Sequence, residues 1–132
     1  MPLNQDHLPT ILVVEDDYAT QSLVEDVLTE AGFNPAIAPS GEEAVTLLQA
    51  QSDKYNALVT DINLRGKIEG WEVARLARQI HPDFPVIYIS GTSGGDWSSK
   101  GVPNSILLQK PFAPAQLVTA VSQLLNTGTP TA

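Results

Sequence analysis

The sequence predicts an α/β domain with a five-stranded parallel sheet between two layers of helices, and three observations carry that prediction. Apolar runs of strand length, such as Ile11-Leu12-Val13-Val14, are continuous rather than alternating, the pattern of strands covered on both faces. Segments with apolar residues at helical spacing alternate with these runs, the rhythm of strand–helix–strand units. No internal repeat and no long linker marks a second domain.

Residues 1–9 read as a polar arm, 10–126 as the domain and 127–132 as a short polar tail. The first strand is Ile11–Val14, and it stops at Glu15-Asp16-Asp17. From Tyr18 to Ala31 the residues Leu23, Val24, Val27, Leu28 and Ala31 define one helical face, and Gly32 can cap its end. Asn34–Ala38 is a weaker strand that holds Pro35 and is closed by Pro39, which suits an edge position. Ser40-Gly41-Glu42-Glu43 has the form of a capping box and opens a helix with Ala44, Val45, Leu47 and Leu48. The third strand runs from Tyr55 to Thr60 and ends at Asp61.

A loop from Asn63 to Gly70 leads into a helix with Val73, Leu76, Ala77 and Ile80 inward. Pro85–Ile89 is the fourth strand, ending at Ser90, and Ser105–Gln109 the fifth, ending at Lys110-Pro111. A last helix begins near Pro114, where a missing N–H costs little, and turns Leu117, Val118, Val121, Leu124 and Leu125 to one side. Between Ser90 and Ile106 the glycines Gly91, Gly94, Gly95 and Gly101 break the rhythm. Each interior glycine costs a helix about 1 kcal/mol relative to alanine, so the fourth helix is predicted to be short or irregular.

Composition excludes several classes of function. Among 132 residues there are 7 Lys+Arg against 15 Asp+Glu, a net charge of −8. That charge repels phosphate backbones and anionic lipid, so bulk binding to nucleic acid or to a membrane surface is disfavoured. The chain has no cysteine, which removes disulfides, thiolate nucleophiles and Cys-ligated zinc, and its only histidines, His7 and His81, cannot form a multi-His metal site. No apolar run reaches the length of a membrane span, and no basic-then-apolar leader opens the chain. The expectation is a soluble, acidic, cytoplasmic protein.

The chemistry-bearing residues stand where strands end: Glu15 and Asp16 after the first, Asp61 after the third, Ser90 after the fourth, Lys110 after the fifth. In an open parallel sheet all the strand C-termini share one edge, and ligands bind in a crevice there. Carboxylates from two strands suit a hard divalent cation, and Mg²⁺ prefers few carboxylates, water and a phosphate oxygen. A lysine and a serine hydroxyl beside them would serve an added phosphoryl group. Asp61 can be the nucleophile, because carboxylates form acyl phosphates when a metal neutralises the charge.

Val13-Val14-Glu15-Asp16-Asp17, Thr60-Asp61-Ile62-Asn63-Leu64, Ile89-Ser90-Gly91 and Gln109-Lys110-Pro111-Phe112 together resemble the receiver (CheY-like) domain of two-component response regulators, from about Thr10 to Leu125. Each motif alone is weak; four in the right order at the right strand ends are specific. The resemblance implies a flavodoxin-like sheet in the order 2-1-3-4-5 and a phosphoacceptor at Asp61. It further implies Mg²⁺ held by Asp16, Asp61 and the backbone carbonyl of Asn63, with Glu15 acting through a water. Lys110 would pair with the phosphoryl oxygens and Ser90 would hydrogen-bond the phosphoryl group. The Lys110–Pro111 bond would be cis, and Asn63 and Thr92 would tune hydrolysis.

As a partner it implies a histidine kinase or a histidine phosphotransfer protein. Output would be phosphorylation-dependent binding of a downstream protein that the sequence does not identify, or a phosphorelay. The reading is a stand-alone receiver, a signalling domain rather than an enzyme, whose only chemistry is its own phosphorylation and dephosphorylation. A receiver from a hybrid histidine kinase is the alternative.

Three departures stand out. The loop after Asp61 is one residue longer and carries Arg65 where a proline is common in the family. Leu107 replaces the tyrosine or phenylalanine of the fifth strand, so an aromatic switch there is not expected. The glycine-rich fourth-helix region points to activation by ordering or movement of residues 91–105. A small aspartyl-nucleophile phosphatase is the competing class, but such enzymes place an acid two residues beyond the nucleophile, and here that residue is Asn63. Trp71 and Trp97 read as packing residues, and the uncharged last helix, with Gln116, Thr119, Ser122 and Gln123 outward, as either a solvated face or a charge-independent docking surface.

Overall fold

The computed structural model describes residues 8–127. Of the arm expected over 1–9 and the tail expected over 127–132, residues 1–7, His7 among them, and 128–132 lie outside the described residues. The strands are β1 (Thr10–Val14), β2 (Asn34–Ala38), β3 (Ala57–Asp61), β4 (Val86–Ser90) and β5 (Ile106–Gln109). The helices are α1 (Tyr18–Glu30), α2 (Gly41–Gln51), α3 (Gly70–Ile80), α4 (Trp97–Lys100) and α5 (Pro114–Thr127). All four strand pairings are parallel, in the order β2-β1-β3-β4-β5, with the proline-bearing β2 at an edge as its sequence requires.

Every residue of β1, β3 and β4 is buried, which is why these strands read as unbroken apolar runs. Their side chains alternate between two cores. Leu12, Val14, Leu58, Val86 and Tyr88 pack with Ala44 and Leu48 of α2 and with Trp71, Val73, Ala74 and Ala77 of α3. Ile11, Val13, Val59, Ile87 and Ile89 pack with Val24, Val27 and Leu28 of α1 and with Leu117, Ala120 and Val121 of α5. The result is the predicted three-layer arrangement.

Local signals set the helix starts. Asp17 caps α1 by accepting from the Thr20 N–H at 3.0 Å, and Ser40 caps α2 by accepting from the Glu43 N–H at 3.1 Å. The fourth helix is a four-residue turn, preceded by a 3₁₀ stretch over Ser93–Asp96, and buries none of its own side chains. Leu23, expected on the inward face of α1, is instead exposed, and the helix ends one residue before Ala31. The buried stripe of α1 is the narrower Val24, Val27 and Leu28, enough to cover one edge of the sheet.

Candidate functional site

Register brings the site together. β1 and β3 pair Val14 with Thr60, so Glu15 leaves β1 beside Asp61. β3 and β4 pair Asp61 with Ile89, and β4 and β5 pair Ser90 with Gln109, which delivers Lys110 to the same edge. The Lys110 N–H donates to the Ser90 carbonyl at 2.8 Å, and the Lys110–Pro111 bond is cis as the resemblance implies. The sheet order reverses direction between β1 and β3, and the crevice at such a point is where open parallel sheets bind ligands.

Glu15, Asp16 and Asp61 each offer a carboxylate oxygen within 4.8 Å of the others. The Lys110 ammonium lies 3.0 Å from Asp61 Oδ2 and 3.3 Å from Glu15 Oε1, tying two of the three acids to one cation. Asp61 Oδ1 accepts from the Asn63 N–H at 3.1 Å, and Glu15 Oε2 from the Asp17 N–H at 3.0 Å. The Asn63 amide reaches Thr92 Oγ1 at 3.5 Å, so the two flanking residues meet across the mouth of the site. Ser90, at the end of β4, is buried.

Burial pushes the Glu15 carboxyl up to about 7, against the pull of the Asp17 N–H and Lys110, and the like charge of Asp61 adds to the rise. Lys110 shifts the other way in charge preference. Partial burial lowers it, but the hydrogen bond and charge of Asp61 and the charge of Glu15 outweigh that and hold its ammonium above the usual lysine value. An ammonium so held is a fixed positive charge at the sheet edge.

The Glu15-Asp16-Asp17 run divides by role. Only Asp17 is a helix cap; Glu15 and Asp16 face the crevice with Asp61. A cavity of about 640 Å³ lined in part by Arg78, Asp83, Asn104 and Leu124 opens at the opposite edge, where β4 and β5 begin, and holds none of these carboxylates. Among the described residues no helix is long and apolar enough to cross a membrane.

Comparison with known proteins fits this geometry. The family model described as the response regulator receiver domain matches residues 11–122. The chain belongs to the response regulator receiver family. A crystallised response regulator receiver protein from Sinorhizobium medicae WSM419 is 45% identical, superposes with a TM-score of 0.88, and the match covers 91% of this chain and 96% of that one. The transcriptional regulatory protein CusR of Escherichia coli K12 is 31% identical over 120 residues, covering 89% of this chain and 52% of CusR. PrrA of Mycobacterium tuberculosis H37Rv is 35% identical over 120 residues, covering 89% of this chain and 50% of PrrA. The receiver chain thus spans about half the length of these curated relatives.

Two residues of the receiver site escaped the sequence reading. Glu42 reads as a helix-start acid, yet its Oε2 accepts from the Lys67 N–H at 2.9 Å in the loop beyond Asp61. Gln21 donates from Nε2 to the Glu15 carbonyl at 2.7 Å, bracing the β1 end. Neither leaves a spacing signal, because in both pairs one partner is a backbone group.

Proposed function

We propose that this receiver accepts a phosphoryl group on Asp61 in a Mg²⁺-dependent step, from a histidine kinase or a histidine phosphotransfer protein. One observation carries the reading: a single ammonium, Lys110, stands 3.0 Å from Asp61 Oδ2 within a cluster of three carboxylates. Three acids, of which Lys110 pairs with only Glu15 and Asp61, are under-neutralised, and an all-oxygen donor set of this size suits a hard divalent cation. Asp16, Asp61 and the Asn63 carbonyl would hold it, with Glu15 acting through water. Bound there, the cation would supply neutralisation of the negative charge that builds as two anions approach.

An Asp61 carboxylate oxygen attacks the phosphorus. The P–N bond to the donor histidine breaks, its electron pair stays on the imidazole, and Asp61 becomes an acyl phosphate. Lys110, released from part of its pairing with Asp61, turns its charge to the phosphoryl oxygens. The Ser90 hydroxyl supplies a further donor. Turnover of phosphate esters is not part of this reading, because the amide of Asn63 cannot protonate a leaving alkoxide as an acid at that position would. The downstream output is binding of another protein or passage of the phosphoryl group along a relay, since the net charge of −8 disfavours direct contact with nucleic acid.

Incubation with Mg²⁺ and acetyl phosphate, followed by intact-mass measurement, tests the reading. A gain of one phosphoryl group in the wild type and none in Asp61→Asn is expected. Equal gain in both, or none in a folded wild type offered both acetyl phosphate and a phosphorylated histidine donor, overturns it.

A further inference from the structure

The loop between β3 and α3 is clasped at two points. Arg65 donates its backbone N–H to Asp16 Oδ2 at 2.8 Å, and Lys67 donates its own to Glu42 Oε2 at 2.9 Å. Between them Gly66 takes a φ of +96°, and a Cβ on it would sit 3.0 Å from both Glu42 carboxylate oxygens, so the turn closes directly over that acid. Farther along, the Gly70 N–H donates to the Ile62 carbonyl at 3.0 Å, and any Cβ on Gly70 would collide with the Asp61 carbonyl. The loop therefore has a fixed path and presents the Arg65 N–H from a fixed point.

Among the described residues Asp16 is held by Arg65 alone, through that N–H and, more loosely, through Nε at 3.8 Å on a side chain that is 85% exposed. An exposed guanidinium at that distance contributes little. A backbone N–H at 2.8 Å to a carboxylate is a charge-assisted bond of fixed direction. It engages one oxygen of Asp16 and leaves the carboxylate able to bind elsewhere.

We propose that the Arg65 backbone N–H is a positioning group for metal binding: it orients the Asp16 carboxylate, and Arg65 serves because a residue with an N–H is needed there. The inference rests on the reading of Asp16 as a Mg²⁺ ligand. Groups that orient a ligand through its unused atom commonly contribute 10- to 100-fold to metal affinity. Proline has no N–H to donate, so a proline at this position cannot make the bond.

The test is calorimetric titration of Mg²⁺ into the metal-free protein, comparing wild type, Arg65→Ala and Arg65→Pro. Arg65→Ala keeps the N–H and deletes the guanidinium, and its Kd is expected to stay within about threefold of wild type. Arg65→Pro deletes the N–H, and its Kd is expected to rise roughly tenfold or more. Glu42→Ala, which frees the other end of the clasp without touching Arg65, is expected to weaken binding in the same direction and decides the matter if Arg65→Pro does not fold. Equal affinity of wild type and Arg65→Pro, or equal loss in Arg65→Ala, overturns the proposal while leaving the metal reading intact. No Mg²⁺ binding by the wild type overturns both.

Discussion

Glu15 is under two opposing demands. Its carboxyl is 2% exposed, which favours the neutral form, yet Lys110 and the Asp17 N–H both stabilise the charged one. Lys110 is the compensating group for Glu15 and Asp61 alike, so its removal leaves two carboxylates facing each other without a cation. Losing one partner of a fully buried ion pair costs about 3–5 kcal/mol, and the 29% exposure of the Lys110 side chain lets water recover part of that. Lys110→Ala is expected to destabilise the metal-free protein by about 2 kcal/mol in urea unfolding. A second substitution, the near-isosteric Asp61→Asn in the Lys110→Ala background, removes the facing negative charge and is expected to restore part of the loss. Asp61, Asp16 and Lys110 were legible in the sequence because each is a charged residue at the end of an apolar run. Arg65 was legible only as an odd residue in a loop, because what it contributes is a backbone N–H that every residue but proline carries.

At the scale of elements, the short fourth helix shows what a sequence pattern can and cannot convey. The glycines announced that no full helix would form, but not what fastens the segment instead. Trp97 donates from Nε1 to Ser105 Oγ at 2.9 Å, Ser105 donates to the Val102 carbonyl at 2.6 Å, and the Val102 N–H donates to the Tyr88 hydroxyl at 3.1 Å. Tyr88 lies on β4 with its ring 4.8 Å from Trp71, so the α4–β5 connection is tied to the core through an aromatic on β4 while Leu107, its register partner on β5, supplies only packing. Tyr88→Phe keeps the ring and strands a buried N–H, a loss of about 1–2 kcal/mol. Hydrogen exchange is expected to accelerate over residues 97–105 and to stay unchanged in β1 and β3. Uniform acceleration throughout would mean that the tie is global.

The loop after Asp61 makes a separate prediction at this scale. The Lys67 N–H, with further backbone donors, holds the Glu42 carboxyl below its ordinary value of 4.5. A depressed folded value favours the ionised form, so this support is present above the unfolded value and is lost as pH falls through the folded one. The Lys67 amide, corrected for its intrinsic exchange rate, is expected to keep its protection down to the ordinary glutamate value and to lose it as pH falls further, and Glu42→Gln is expected to remove that dependence.

Across the whole molecule, charge is spread unevenly against a sheet that is nearly neutral inside. Layer assignment and the edge that carries the carboxylates followed from apolar runs and from what stands at their ends, since the parallel register Val14–Thr60 and Asp61–Ile89 leaves those residues nowhere else to go, whereas the strand order came from the resemblance to receiver domains. The exposure of Leu23 did not follow, because helical spacing marks a wide stripe and only packing against the sheet decides how much of it is covered. A net charge of −8 repels itself diffusely over the molecule, whereas the three-carboxylate cluster concentrates repulsion at one point. These two sources separate by experiment. Raising monovalent salt screens the diffuse charge and is expected to raise Tm by a similar small amount in wild type, Asp16→Ala and Asp61→Ala. At constant ionic strength, Mg²⁺ bound at one specific site and present at ten times its Kd stabilises by about 1.4 kcal/mol, roughly 5 °C in Tm for a domain of this size. That increment is expected in the wild type and absent from both variants. An equal response to Mg²⁺ in all three would mean that the cation acts on the whole acidic surface, and the cluster at the β1–β3 crevice would then be an electrostatic cost with no ligand to relieve it.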